Sequence, residues 1–116
     1  CNTMIPKVSK QGIAKFNDVF CESGYFNIEQ SKRILETGEK YGLFSRMHCD
    51  EFSCFGASKL AAKMRVNSAD HLMEIDKEGI DRLAKENVIG TLLPGTTFFL
   101  GKKKYAPYLE LKKITV

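Results

Sequence analysis

Leu43 to Phe52 reads LFSRMHCDEF, a short run of strand-forming character that gives way within four residues to a histidine, an aspartate and a glutamate. The bulky apolar and polar residues of LFSRMH predict a strand, and His48, Asp50 and Glu51 then fall at or just past its end. The segment before it, NIEQSKRILETGEKYG (27–42), opens with Asn27 as an N-cap and Gln30 three residues on. It places Ile28, Ile34 and Leu35 along one side and stops at Gly42, which predicts a helix. The segment after it, ASKLAAKMR (57–65), is rich in Ala and Leu and predicts another. A strand bracketed by helices of this length, with its polar residues gathered at the end, predicts a βαβ unit carrying chemistry at the strand termini.

The same alternation extends in both directions. MIPKVSKQGIAKF (4–16) has a weak helical pattern in Ile5, Val8 and Ile13, and FNDVF (16–20) follows it as a strand. Beyond the central unit, VNSADH (66–71) reads as a strand and DKEGIDRLAKEN (76–87) as a helix capped by Asp76. VIGTLLP (88–94) is rich in strand formers and ends at Pro94-Gly95, which reads as a turn. KYAPYLELKK (104–113) predicts a further short helix, and ITV (114–116) the start of a fifth strand. Strands alternating with helices imply right-handed crossovers and a parallel sheet, so the class is α/β. No repeat, low-complexity tract or linker divides the 116 residues, and one segment is expected throughout. Five such strands can form a small doubly wound sheet or part of an eight-stranded barrel. The gathering of polar residues at strand ends favours the partial (β/α)₈ barrel.

Composition narrows the function classes. A chain with 43% hydrophobic and 28% charged residues has ordinary globular composition. The net charge of +4 is spread along the sequence apart from Lys102, Lys103 and Lys104, so no basic stripe points to nucleic acid. No apolar run approaches the roughly 20 residues that span a bilayer, and the opening CNTMIPKVSKQG lacks the pattern of a signal peptide. A cytoplasmic protein without membrane partners is the expectation. Cys1, Cys21, Cys49 and Cys54 show no Cys-x-x-Cys spacing and are expected to be reduced thiols. Their spacing to His48 and His71 matches no standard zinc finger, and Cys49 and Cys54 have no adjacent base to activate them.

Three residues could carry chemistry, the alternatives being histidines that only satisfy caps or loops and a carboxylate that is simply solvated. His48 at a strand end can offer a ring nitrogen to a metal or a proton. His71 closes the next strand, and strands about 4.8 Å apart would bring the two imidazoles together. Glu51 can reach over the same end and move a proton to or from a substrate. Asp70 is expected to fix a turn or the following connection, and Asp50 to face elsewhere. Glu22 stands at the equivalent end of the first strand.

The stretches DVFCESGYFNIEQSKRILETGEKYGL, MHCDEF, SADHL and LLPGTTFFLGKKKYAP, in this order, resemble the imidazolonepropionase family of the amidohydrolase superfamily. Its pattern there looks like DVFCE…F…QS, IHADEF, SADHL and LLPGT.F.L…YAP. The resemblance implies about strands four to eight of a metal-dependent barrel with one divalent ion, zinc or iron. It also implies ring opening of 4-imidazolone-5-propanoate to N-formimino-L-glutamate, and a homodimeric parent acting on this small-molecule substrate. By this resemblance His48 is the metal ligand of the fifth strand, Glu51 a substrate-contacting residue that moves protons, and His71 the sixth-strand histidine beside the attacking water. Cys49 stands where the family usually has Ala, and CFGASKLA replaces a loop that usually carries two glycines. The family's other metal ligands, a His-x-His pair and an Asp, have no counterpart in these residues. The chain is therefore expected to be a fragment, inactive alone, with open sheet edges that favour self-association.

Overall fold

Helix α1 (Met4–Gln11) stops at Gly12, whose φ of 70° is a left-handed conformation that glycine adopts without strain. The computed structural model describes residues 1–112; the predicted strand at 114–116 lies outside them. The chain then alternates as expected: β1 (Phe16–Cys21), α2 (Ile28–Lys40), β2 (Phe44–Cys49), α3 (Ala57–Met64), β3 (Ser68–His71), α4 (Lys77–Lys85) and β4 (Ile89–Thr91). Short helices α5 (Pro94–Phe99) and α6 (Tyr108–Leu111) follow.

The caps form as their residue types dictate. Asn27 accepts the Gln30 backbone N–H at 2.9 Å while the Gln30 side chain accepts the Asn27 N–H at 3.0 Å, a reciprocal capping box. Asp76 accepts the Gly79 N–H at 2.6 Å and opens α4. One local expectation is overturned. Pro94-Gly95 begins α5 and is not a simple turn, because the fixed φ of proline suits the first helical position, where its missing N–H would have had no partner. The fourth strand is correspondingly shorter than VIGTLLP.

The four strands are parallel and lie in the order β1-β2-β3-β4. Each crossover moves one place in the same direction, and right-handed crossovers of that kind leave all their helices on one face of the sheet. A doubly wound sheet needs a reversal of strand order, and none occurs among the described residues. The covered face holds Val19, Cys21, Met47, Cys49 and Ala69, buried beneath Leu35, Leu60, Ala61, Ile80 and Leu83 of the helices. Leu35, Met47 and Leu83 are each 0% exposed, so cutting any of them to Ala costs about 2–5 kcal/mol. Close helix packing needs small residues at two points. A Cβ on Gly38 would overlap the Asn17 side chain, and one on Gly79 would stand 2.5 Å from Ser58 Oγ.

The other face carries Phe16, Asp18, Phe20, Phe44, Arg46, His48, Ser68, Asp70, Ile89 and Thr91 by strand alternation. No crossover helix covers it. Phe16, Phe44 and Ile89 lie exposed at the N-terminal ends of their strands, and the titratable residues lie toward the C-terminal ends.

Candidate functional site

The register of β2 and β3 pairs His48 with Asp70 and Cys49 with His71. Alternation alone would therefore send the His71 side chain toward the covered face, beside Cys49. It does not go there. His71 has φ 78° and Leu72 φ 58°, two consecutive left-handed residues that end β3. The His71 ring consequently stands 5.2 Å from that of His48, tilted by 42°. The two imidazoles that the sequence places at neighbouring strand ends do meet, through a strained backbone at a strand terminus and not by simple pairing.

Glu51 completes the group. Its Oε2 lies 3.5 Å from His71 Nε2, and both side chains are buried. Burial raises the Glu51 carboxyl above its ordinary range, with the His48 and Lys102 charges opposing. Burial, reinforced by the neighbouring His48, lowers His71. Both effects favour the neutral His71 ring, and 3.5 Å is too long for a hydrogen bond to the carboxylate. Both groups stay available to a third partner.

His48 is differently placed. It is the penultimate residue of β2, not the closing one, and its side chain is partly exposed on the open face. Its Nδ1 lies 3.1 Å from Asp18 Oδ1. A carboxylate can only accept, so Nδ1 carries the proton of this contact and Nε2 is left free. The hydrogen bond with Asp18 raises the His48 imidazole above its ordinary value, against the effect of burial. An imidazole held by a carboxylate on one nitrogen and open on the other fits a divalent metal ion. Among the described residues no three His, Cys, Asp or Glu side chains converge on one point.

Two loops hold Glu51 in place. Glu22, just after β1, is buried and accepts the N–H groups of Ser23 (2.8 Å), Phe52 (2.9 Å) and Ser53 (3.3 Å), with the Ser53 hydroxyl as a fourth donor. On the other side of Glu51, Asp50 sits fully buried at φ 47° and accepts the Ala57 N–H at the start of α3. It faces away from the histidines, as expected. Phe20, Tyr25 and Phe52 form an aromatic wall beside His48, with Phe20 edge-on to the imidazole at 6.2 Å.

Asp70 departs from expectation. It fixes no turn; its Oδ2 accepts from Arg46 Nη2 at 3.2 Å across the sheet, while Arg46 Nε donates to Ser68 Oγ. Cross-strand neighbours of opposite charge on one face attract, and this pairing outweighs any local turn role. The cysteines are all free thiols, and burial pushes Cys21 and Cys49 upward, Cys49 strongly, so neither is an activated nucleophile. Sequence reasoning missed Asp18, Arg46 and the bracing role of Glu22. Period-two spacing puts Asp18 on the same face as Phe20, and that is the one signal that could have flagged it.

No family model matches the chain. Among curated proteins it is similar to the imidazolonepropionase of Geobacillus sp. (strain WCH70), 54% identical over 100 residues, which is 86% of this chain and 24% of that protein. It is also similar to the imidazolonepropionase of Thermoanaerobacter pseudethanolicus, 44% identical over 113 residues, 97% of this chain and 26% of that protein. The chain spans about a quarter of the length of the curated relatives it matches. Among solved structures, an uncharacterized metal-dependent hydrolase from Pyrococcus furiosus superposes with a TM-score of 0.62 at 13% identity, over 97% of this chain and 33% of that one. The fold is shared with part of that hydrolase. The likeness to imidazolonepropionases agrees with the resemblance carried by DVFCE, MHCDEF, SADHL and LLPGT.

Proposed function

We propose that this chain is the portion of an imidazolonepropionase that carries one metal ligand, His48, and two groups that handle protons and substrate, Glu51 and His71. The observation that carries this is the meeting of these three residues at one end of a singly wound parallel sheet, in a chain similar to enzymes of that name. The sheet is then one arc of a (β/α)₈ barrel, whose catalytic groups collect at the C-terminal strand ends.

His48 would hold the ion, zinc or iron, through Nε2, with further ligands from outside this chain. When bound, such an ion supplies Lewis acidity, making water more acidic and a carbonyl carbon more electrophilic. The reaction is the hydrolysis of 4-imidazolone-5-propanoate: the oxygen of water bonds to the ring carbonyl carbon, the adjacent C–N bond breaks, and the nitrogen takes a proton. Glu51 accepts the proton that water sheds and delivers it to the departing nitrogen, giving N-formimino-L-glutamate. Its burial suits it to both roles, because the raised carboxyl lies nearer neutrality than an exposed one. His71, neutral and beside Glu51, orients the attacking water. The aromatic wall of Phe20 and Phe52 keeps that end of the sheet apolar and limits competing solvent.

The substrate is a small molecule, the parent a cytoplasmic homodimer, and no helix among the described residues is long and apolar enough to cross a membrane. The test is turnover of imidazolonepropionate by the full-length protein carrying this segment, with the metal counted in the same sample. A metal-containing protein without that activity would refute the substrate, and a metal-free one the class. A second reading, self-association of the chain by itself, is favoured by the exposed Phe16, Phe44, Phe98 and Phe99.

A further inference from the structure

We propose that Asp18 is the positioning residue for His48: it fixes the proton on Nδ1 and the ring angle, so that Nε2 presents its lone pair to the metal ion. This rests on the ligand role given to His48 above. Asp18 Oδ1 lies 3.1 Å from Nδ1, within hydrogen-bond range. The carboxylate comes from the neighbouring strand, one step diagonal to His48, since Asp18 pairs with Arg46 and Phe20 with His48.

Other roles for Asp18 are poorly served by its surroundings. Aspartate is disfavoured inside strands, and with its side chain 41% exposed it adds little to the core. Its direct cross-strand neighbour is Arg46, the natural partner for a carboxylate. Arg46 nevertheless gives its hydrogen bonds to Ser68 and Asp70, leaving Asp18 to the imidazole. Meanwhile Phe20 stands edge-on at 6.2 Å on one side of the His48 ring and His71 at 5.2 Å on the other. Those neighbours restrict where the ring plane lies, but neither decides which nitrogen carries the proton. A hydrogen-bond partner on a ring nitrogen does that; the one seen is Asp18 on Nδ1, and a carboxylate there is the arrangement that metal-binding histidines commonly use.

The experiment measures Zn²⁺ affinity by chelator competition on the full-length protein, for wild type, Asp18→Ala and Asp18→Asn, with the His48 tautomer read by ¹⁵N NMR on the metal-free wild type. The inference expects the His48 proton on Nδ1 and a loss of Zn²⁺ affinity of about 10–100-fold in Asp18→Ala. Asp18→Asn, which keeps a neutral acceptor, should lose less. Wild-type affinity in a folded Asp18→Ala protein would overturn it, and so would a neutral His48 ring whose single proton sits on Nε2 in the metal-free wild type, which needs no variant to fold. If the wild type itself takes up no Zn²⁺, the ligand role of His48 fails and this inference with it. If it binds Zn²⁺ and the variants bind equally, this inference alone fails.

Discussion

The rings of His48 and His71 stand 5.2 Å apart although the sheet register sets them one residue out of step. The offset is absorbed by the left-handed backbone at His71, φ 78°. A non-glycine residue in that region costs of order 1–3 kcal/mol, less for Asn and Asp and more for β-branched side chains.

Substitution at His71 should therefore separate backbone from ring. In the full-length protein, His71→Asn should keep a near-native melting temperature while turnover falls by ~10²-fold or more. His71→Val should lower stability as well, by about 1–3 kcal/mol. Thermal melts of the two variants side by side check this; equal melting temperatures would mean that the left-handed turn is not what places the ring.

His48 and Glu51 should fail in different ways. His48→Ala should lose bound metal and activity together, whereas Glu51→Gln should retain metal and lose ~10²-fold or more in turnover. Metal content by elemental analysis beside steady-state rates distinguishes them. Full metal occupancy in His48→Ala would remove it from the ligand set.

Glu22 should act on stability and through it on Glu51. Although burial pushes the carboxyl up, the donors from Ser53, Phe52 and Ser23 hold it below its ordinary value of 4.5 in the folded protein. A carboxyl depressed on folding contributes stability fully above its unfolded value and loses that contribution as pH falls through the folded one. The loop at Phe52 and Ser53 should thus loosen below about pH 4.5. At neutral pH, Glu22→Gln puts an amide donor among donors and should cost about 1–3 kcal/mol. Denaturant melts at pH 7 and pH 4 check both; a Glu22→Gln protein should have the flatter pH dependence of the two.

The 116-residue chain by itself should associate. Phe16 and Phe44, 5.8 Å apart on the open face, are 47% and 58% exposed, and Phe98 and Phe99 are 79% and 87% exposed. The strands β1 and β4 are sheet edges among the described residues. Sedimentation should show species above 13.1 kDa, and a single monomeric species with a sharp melt would refute this.

The caps at Asn27 and Asp76, the stop at Gly12 and the strand-helix alternation depend on contacts within a few residues, and their spacing can be read directly from the sequence. The motif residues His48, Glu51 and His71 were legible for a different reason: their types and order match a known family. Pairings between strands were not legible. Asp18 with His48, Arg46 with Asp70 and Glu22 with Ser53 join residues 24 to 31 positions apart. Sheet register decides which of several possible partners each one meets, and register depends on how all the crossovers pack together. Local pattern likewise misjudged Asp70, because an aspartate suits a turn until an arginine on the next strand lies within 3.2 Å. The same holds for His71: its type marks it as a candidate, but only the backbone that ends β3 turns its ring toward His48, against the alternation that any strand pattern would assume.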